Sequence, residues 1–210
     1  MTAPARQFLL PTPAGAFFAT AEQAEDRLRG FIRLLFAQPA SPAWHDEDDG
    51  FVRRLATAGW VQYLDAPRSA PRDTIEAALQ RLLPPLTGSR SALLADAHGF
   101  HLASTGFTTP QAEALAALSA DLASLHSRHR RVISQDLHLY GSAWSIPDAA
   151  GHSQLGFWPL YVGSHRFVLI LAGVPHLNQP GLVDLVWLLH QRYGPLASAL
   201  PVTADSTVTD

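Results

Sequence analysis

No cysteine occurs among the 210 residues, which excludes disulfides, thiolate-bound zinc and thiol nucleophiles together and is consistent with a reducing compartment. Long apolar runs are missing too. None approaches the roughly 20 residues that span a bilayer, and the N-terminal run, broken by Pro11 and Pro13, is too short for a signal peptide's apolar core. A soluble cytoplasmic protein without membrane insertion is expected. Strong charge of one sign is also absent: the formal net charge is -3, so the field of the whole molecule does not draw it to nucleic acid or an anionic membrane. There is no phosphate loop of the G-x-x-x-x-G-K type, no G-x-G-x-x-G and no G-x-S-x-G elbow. Ser142 and Ser164 read as turn formers. A non-catalytic protein without a cofactor is expected.

Metal chemistry has little support. His98/His101 and His126/His129 have ligand-like spacing, but the first pair straddles a turn and no third ligand or acidic partner is evident nearby. His45-Asp46-Glu47-Asp48-Asp49-Gly50 fails as a calcium loop, which needs glycine at its sixth position and glutamate at its twelfth; counted from Asp46, Gly50 is fifth and Thr57 twelfth. An acidic N-terminus for the following helix explains the run better.

What is present is ample apolar residue, 47% against 16% charged, enough for one domain and a smaller companion. Residues 1 to 20 allow either an irregular strand pair or a docked arm. A helix is expected from Ala21, with Ala24, Leu28, Phe31, Ile32 and Leu35 inward, ending at Pro39 and Pro42. FVRRLATAG predicts a short helix with Gly59 just beyond it, and Trp60 to Leu64 a strand. Ala66 to Asp73 reads as a linker. From Thr74 the expected order is helix, strand, strand, helix, strand, strand, strand, helix. The two strands Ser91 to Ala95 and Phe100 to Thr105 fold at Asp96-Ala97-His98-Gly99. Thr109 and Pro110 open a helix running to about His129. Val132 to Tyr140 is expected as a strand and Ser142 to Ser153 as a loop. Leu155 to Val162 and Phe167 to Ala172 form a second hairpin, whose second strand, apolar on both faces, belongs in the middle of a sheet. A last helix begins at Asn178-Gln179-Pro180, and Leu196 to Asp210 is a flexible tail.

The Thr109 to His129 helix carries two stripes. Leu115, Leu118, Leu122 and Leu125 form the expected core face, and Ala112, Ala116, Ser119 and Ala123 a shallow lane that a second helix could approach. Arg128, Arg130 and Arg131 are clustered arginines able to reach a partner's phosphates.

The order from Thr74 on, with ALLADAHGFHLASTGF, AEALAALSADLASL and PLYVGSHRFVLILAGVPHLNQPGLVDLVWLLH, resembles the roadblock/dynein light chain seven family, including the bacterial MglB-like regulators of small GTPases. The resemblance implies an α+β, profilin-like five-stranded antiparallel sheet flanked by helices over residues 74 to 195. It also implies a dimer along the second helix and third strand, which adds Ser134 and Asp136 to the small-residue lane, and binding to or regulation of a Ras-like GTPase. Residues 1 to 73 stand outside a minimal member, as a small, mainly helical extension. Within it, FVRRLATAGWVQYL is similar to the last helix and first wing strand of a winged-helix DNA-binding module. That makes a DNA-binding regulator the alternative, although Asp46 to Asp49 would repel phosphates.

Overall fold

The computed structural model describes residues 7–24, 26–44, 50–139 and 141–195. The acidic run Asp46 to Asp49, Tyr140 and the expected tail from Leu196 lie outside the described residues.

The N-terminal stretch that the sequence left open is ordered by two local signals. Gln7–Pro11 forms β1, and Thr12 then caps α1, Pro13–Ala21, its side chain accepting from Gly15 N at 3.1 Å. Proline in the first helical turn costs no hydrogen bond. The helix expected from Ala21 therefore starts later. Ala21 ends α1, and Asp26 caps α2, Arg27–Ala37, by accepting from Arg29 N at 2.7 Å. Arg29 and Arg33 of α2 donate back to carbonyls at the end of α1: Arg29 Nε to Phe18 O and Arg33 Nε to Ala19 O. Positive charge is thereby placed where that helix's dipole is negative.

A short strand β2, Ala43–Trp44, precedes α3, Gly50–Thr57, and β3, Val61–Leu64. Gly59 lies at φ +76, as its place beyond α3 requires. The winged-helix likeness stops at β3. Instead of turning back as a wing, β3 pairs antiparallel with β1, giving a three-stranded sheet in the order β2-β1-β3.

α4, Ile75–Leu82, is capped by Thr74 and stopped at Pro84. The hairpin follows as expected: β4, Ala92–Ala95, and β5, His101–Thr105. At its turn Asp96 Oδ1 accepts from His98 N and Phe100 N, both at 2.9 Å, and Gly99 takes φ +85. α5 spans Thr109–Arg128, with Thr108 rather than Thr109 as its cap and Gln111 Oε1 accepting from Thr108 N.

Beyond α5 the expected strand Val132 to Tyr140 does not form. Arg131–Asp136 is a π-helical segment in which Leu137 N donates to Val132 O at 2.9 Å. The physical reason is the lack of a stop signal: after Pro110 neither proline nor glycine occurs before Gly141. The alternation at Ile133, Leu137 and Leu139 mimics a strand, while the chain simply continues the helix more widely wound. The third strand, β6, lies instead at Trp144–Pro147, inside the stretch expected as a loop, and Asp148 and Gly151 make the turn that follows.

β7, Ser153–Val162, and β8, His165–Ala172, form the second hairpin, and α6, Pro180–Tyr193, closes the described chain. The main sheet is antiparallel, in the order β5-β4-β8-β7-β6. β8 is central, and Val168, Leu169, Ile170 and Leu171 are all buried. This is the α+β, five-stranded arrangement the sequence predicts. One face is covered by α4, α6 and α1, the last packing on β7 and α6. The other face carries α5.

α2 joins two cores. Ile32 and Phe36 enter the main core, while Phe31 and Leu35 pack with Leu9, Val52, Leu55 and Val61 under the small sheet. Its last carbonyls are capped by α6: Gln191 Nε2 donates to Phe36 O at 2.8 Å, Ala37 O at 3.1 Å and Gln38 O at 3.0 Å, and Trp187 Nε1 to Gln38 O at 2.8 Å. The expected linker is likewise fastened, with Arg68 Nη2 at 2.7 Å from Asp184 Oδ1 of α6.

Candidate functional site

α5 sits on the sheet by its small side. Ala112 and Ala116 are fully buried against Leu93, Ala95 and Ile170, and Ser119 is buried with its Oγ donating to Ala116 O at 2.7 Å. This shifts the expected core face, leaving Leu115 and Leu122 packed at the margin of that core. Leu115, Leu122 and Leu125 are half-buried and Leu118 is 39% exposed. Close approach explains the shift: a Cβ on Gly99 would lie 3.1 Å from Ala117 Cα and 3.2 Å from Ala116 O. A leucine stripe on that side would hold the helix away from the hairpin. The lane offered as an open dimer surface is thus largely filled by the chain's own sheet.

α5 leaves part of that face uncovered. Between the C-terminal half of α5 and the β7–β8 surface runs an open groove with a cavity of about 1470 Å³. Along β7 the alternate residues Phe157, Pro159 and Tyr161 form its floor with Val168 of β8. Period-two geometry puts these on the side opposite Leu160 and Val162, which belong to the main core. Ala120, Ala123 and Ser127 of α5 line one wall, Ser134, Gln135, Ser142 and Trp144 the end, and Ala21 to Ala24, from the last residue of α1 onward, also line the groove. β6 pairs only with β7 residues up to Phe157. Among the described residues no strand lies outside Trp158 to Val162.

The groove's charge is one-sided. Arg130, Arg131 and Arg166 line it with His126, whose pKa is lowered by burial first and by the Arg130 charge second. Among the described residues Glu22 is its one carboxylate, and Glu22 Oε2 lies 3.7 Å from Arg29 Nη2. Trp144 Nε1 is buried and finds no acceptor among the described residues.

Of the residues singled out in the sequence, the groove brings together Ser119, Ala123, Ser134, Arg130 and Arg131. Ala112 and Ala116 lie beneath α5, and Arg128 and Asp136 are exposed and do not line the groove. Sequence reasoning missed Arg166, Trp144 and Tyr161. The signal for Tyr161 was available in the alternation of β7; Arg166 and Trp144 join the site only through sheet pairing. No three of His, Asp and Glu among the described residues come together where they could hold a metal ion.

The α+β, five-stranded antiparallel sheet flanked by helices is the arrangement that the resemblance implies. Among solved structures, the roadblock/LC7 domain from Streptomyces avermitilis is 16% identical at a TM-score of 0.37, the match covering 56% of this chain and 92% of that one. Myxococcus xanthus MglB is 19% identical (TM-score 0.33, 58% and 88% covered), and the gliding protein MglB of Thermus thermophilus is 20% identical (TM-score 0.34, 59% and 90% covered). No protein-family model and no curated protein sequence matches the chain. The groove lies where the stretch Ala21 to Ala24 meets the five-stranded sheet.

Proposed function

We propose that this chain is a non-catalytic, roadblock-like adaptor that self-associates and binds or regulates a small Ras-like GTPase. The observation that carries the reading is the unfinished side of the sheet. Leu118, Val132, Leu137, Leu139 and Ile146 are exposed, with Leu137 at 59% and Ile146 at 57%. Of the eight exposed large apolar side chains among the described residues, four fall within the stretch from the end of α5 to β6. Exposed apolar side chains gathered in this way mark an interaction surface, and the outer edge of β7 beside them offers backbone groups without a strand partner. The self-association surface is therefore this outer strip, with Asp136 at its margin, rather than the lane at Ala112 and Ala116.

The GTPase is assigned to the cationic side. Arg128, Arg130 and Arg131 stand exposed at the end of α5, where a partner's anionic groups can approach. An adaptor acting on hydrolysis would do so through the GTPase's own catalytic groups. No helix among the described residues is long and apolar enough to cross a membrane, and the cytoplasm is the compartment proposed.

Sedimentation of the parent and of Leu137→Glu/Ile146→Glu tests self-association: the parent should sediment as an oligomer and the variant as a monomer, and identical profiles refute the surface. Affinity capture from the cell's own extract, with GTP-analogue and GDP arms, tests the partner. Recovery of a small GTPase in neither arm sinks that half of the proposal.

A further inference from the structure

The groove has more donors than its own residues satisfy. Among the described residues Arg130 and Arg131 make no ion pair, Arg166 Nη2 reaches only Ala97 O at 3.4 Å, and the Trp144 Nε1–H has no acceptor. The chain contains no lysine, so every cationic side chain here is arginine, the type suited to paired hydrogen bonds with carboxylates. Beneath these donors the floor is aromatic and apolar. At about 1470 Å³ the open groove has room for a peptide segment rather than for a single small molecule.

We propose that the groove docks an acidic amphipathic segment of a protein partner, with its apolar side on Pro159 and Tyr161, which Phe157 supports from beneath, and its carboxylates against Arg130, Arg131 and Arg166. This rests on the adaptor reading above and names the chemistry of the partner at that site. Helix-in-groove recognition supplies the mode, and charge complementarity the choice of sign.

The test uses the full chain and three probes: a fluorescein-labelled amphipathic peptide with glutamate on its polar face and leucine and phenylalanine on the other, the same peptide with lysine for glutamate, and phosphatidylserine vesicles. The glutamate peptide should bind, more weakly as salt rises from about 0.05 M to about 0.5 M. Arg130→Glu/Arg131→Glu should weaken it by about tenfold or more and bring in the lysine peptide. Ala123→Trp, which fills the groove without touching its charge, should weaken the glutamate peptide as well, with circular dichroism unchanged. Equal binding of the two peptides, indifference to both variants, or preference for vesicles overturns the proposal. Peptide binding without capture of any GTPase leaves the docking site standing and removes the GTPase reading; capture of a GTPase insensitive to Arg130→Glu/Arg131→Glu does the reverse.

Discussion

His190 provides a sharp test of how the extension is joined to the sheet. It lies on α6, 3% exposed, with neither ring nitrogen hydrogen-bonded among the described residues. Its ring stacks on Phe36 of α2 at 5.5 Å and 21°. Burial first, and the positive charge of Arg33 second, push its pKa from the ordinary 6.5 down to about 3. The folded state therefore holds His190 neutral, and the unfolded chain takes up the proton first as pH falls. The sign follows: the stability tied to its neutral form is complete above 6.5 and is lost progressively as pH falls toward 3. Each pH unit in that window costs about 1.4 kcal/mol, so going from about pH 7.5 to about pH 5 costs roughly 2 kcal/mol through this residue alone. His190→Phe keeps a ring against Phe36 and removes the titration. Urea unfolding of both proteins at the two pH values isolates the effect, because every other titrating group is common to both. The parent should lose about 2 kcal/mol more than the variant on acidification. Equal losses would refute the buried, neutral assignment, whatever the variant's absolute stability.

Three further outcomes follow from close contacts. Gly15→Ala drives a Cβ into the carbonyl oxygen of Trp60, so α1 and the chain entering β3 must part; a loss of about 2 kcal/mol or more should appear as a lower thermal midpoint. Arg68→Ala strips the partner from Asp184, whose pKa burial already raises against the opposing pull of Arg68. The loss near neutral pH should be about 1 kcal/mol, limited by the 37% exposure of Arg68, and should shrink as falling pH protonates Asp184; a deficit that grows with acid contradicts this. Arg166→Glu should leave thermal stability within about 0.5 kcal/mol while weakening the glutamate peptide, and a collapse of the fold would show that Arg166 serves the hairpin rather than the groove.

The sheet was legible in the sequence because its signals are local. Asp96 and Gly99 make a turn through their own backbone bonds, and FVLILA is apolar at every position, so hairpin and central strand follow from a few residues each. What failed is tertiary. Period alone cannot say which of two stripes on α5 faces inward, because an alanine lane and a leucine stripe are both plausible packing faces; the close approach at Gly99 decides, and it belongs to another element. The missing strand at Val132 to Tyr140 has a local origin instead, a two-residue alternation inside a stretch with no helix stop. The groove was half legible. Arg130, Arg131, Ser119, Ala123 and Ser134 were singled out on other grounds, yet their common opening needs the β7 floor and the Ala21 to Ala24 stretch, distant in sequence from all of them.

The extension bears on the partner surface through β7. One side of that strand gives Leu160 and Val162 to the core that α1 shares, and the other gives Phe157, Pro159 and Tyr161 to the groove. A backbone shift in β7 moves both sets together, since successive side chains of a strand are fixed to opposite faces. α1 is in turn held by Arg29 and Arg33, and α2 by Gln191 and Trp187. Residues far from the groove thus fix the height of its floor, while Ala21 to Ala24 line it directly. The unit that presents the groove is for this reason larger than residues 74 to 195, and takes in α1 and α2 as well as the five-stranded sheet.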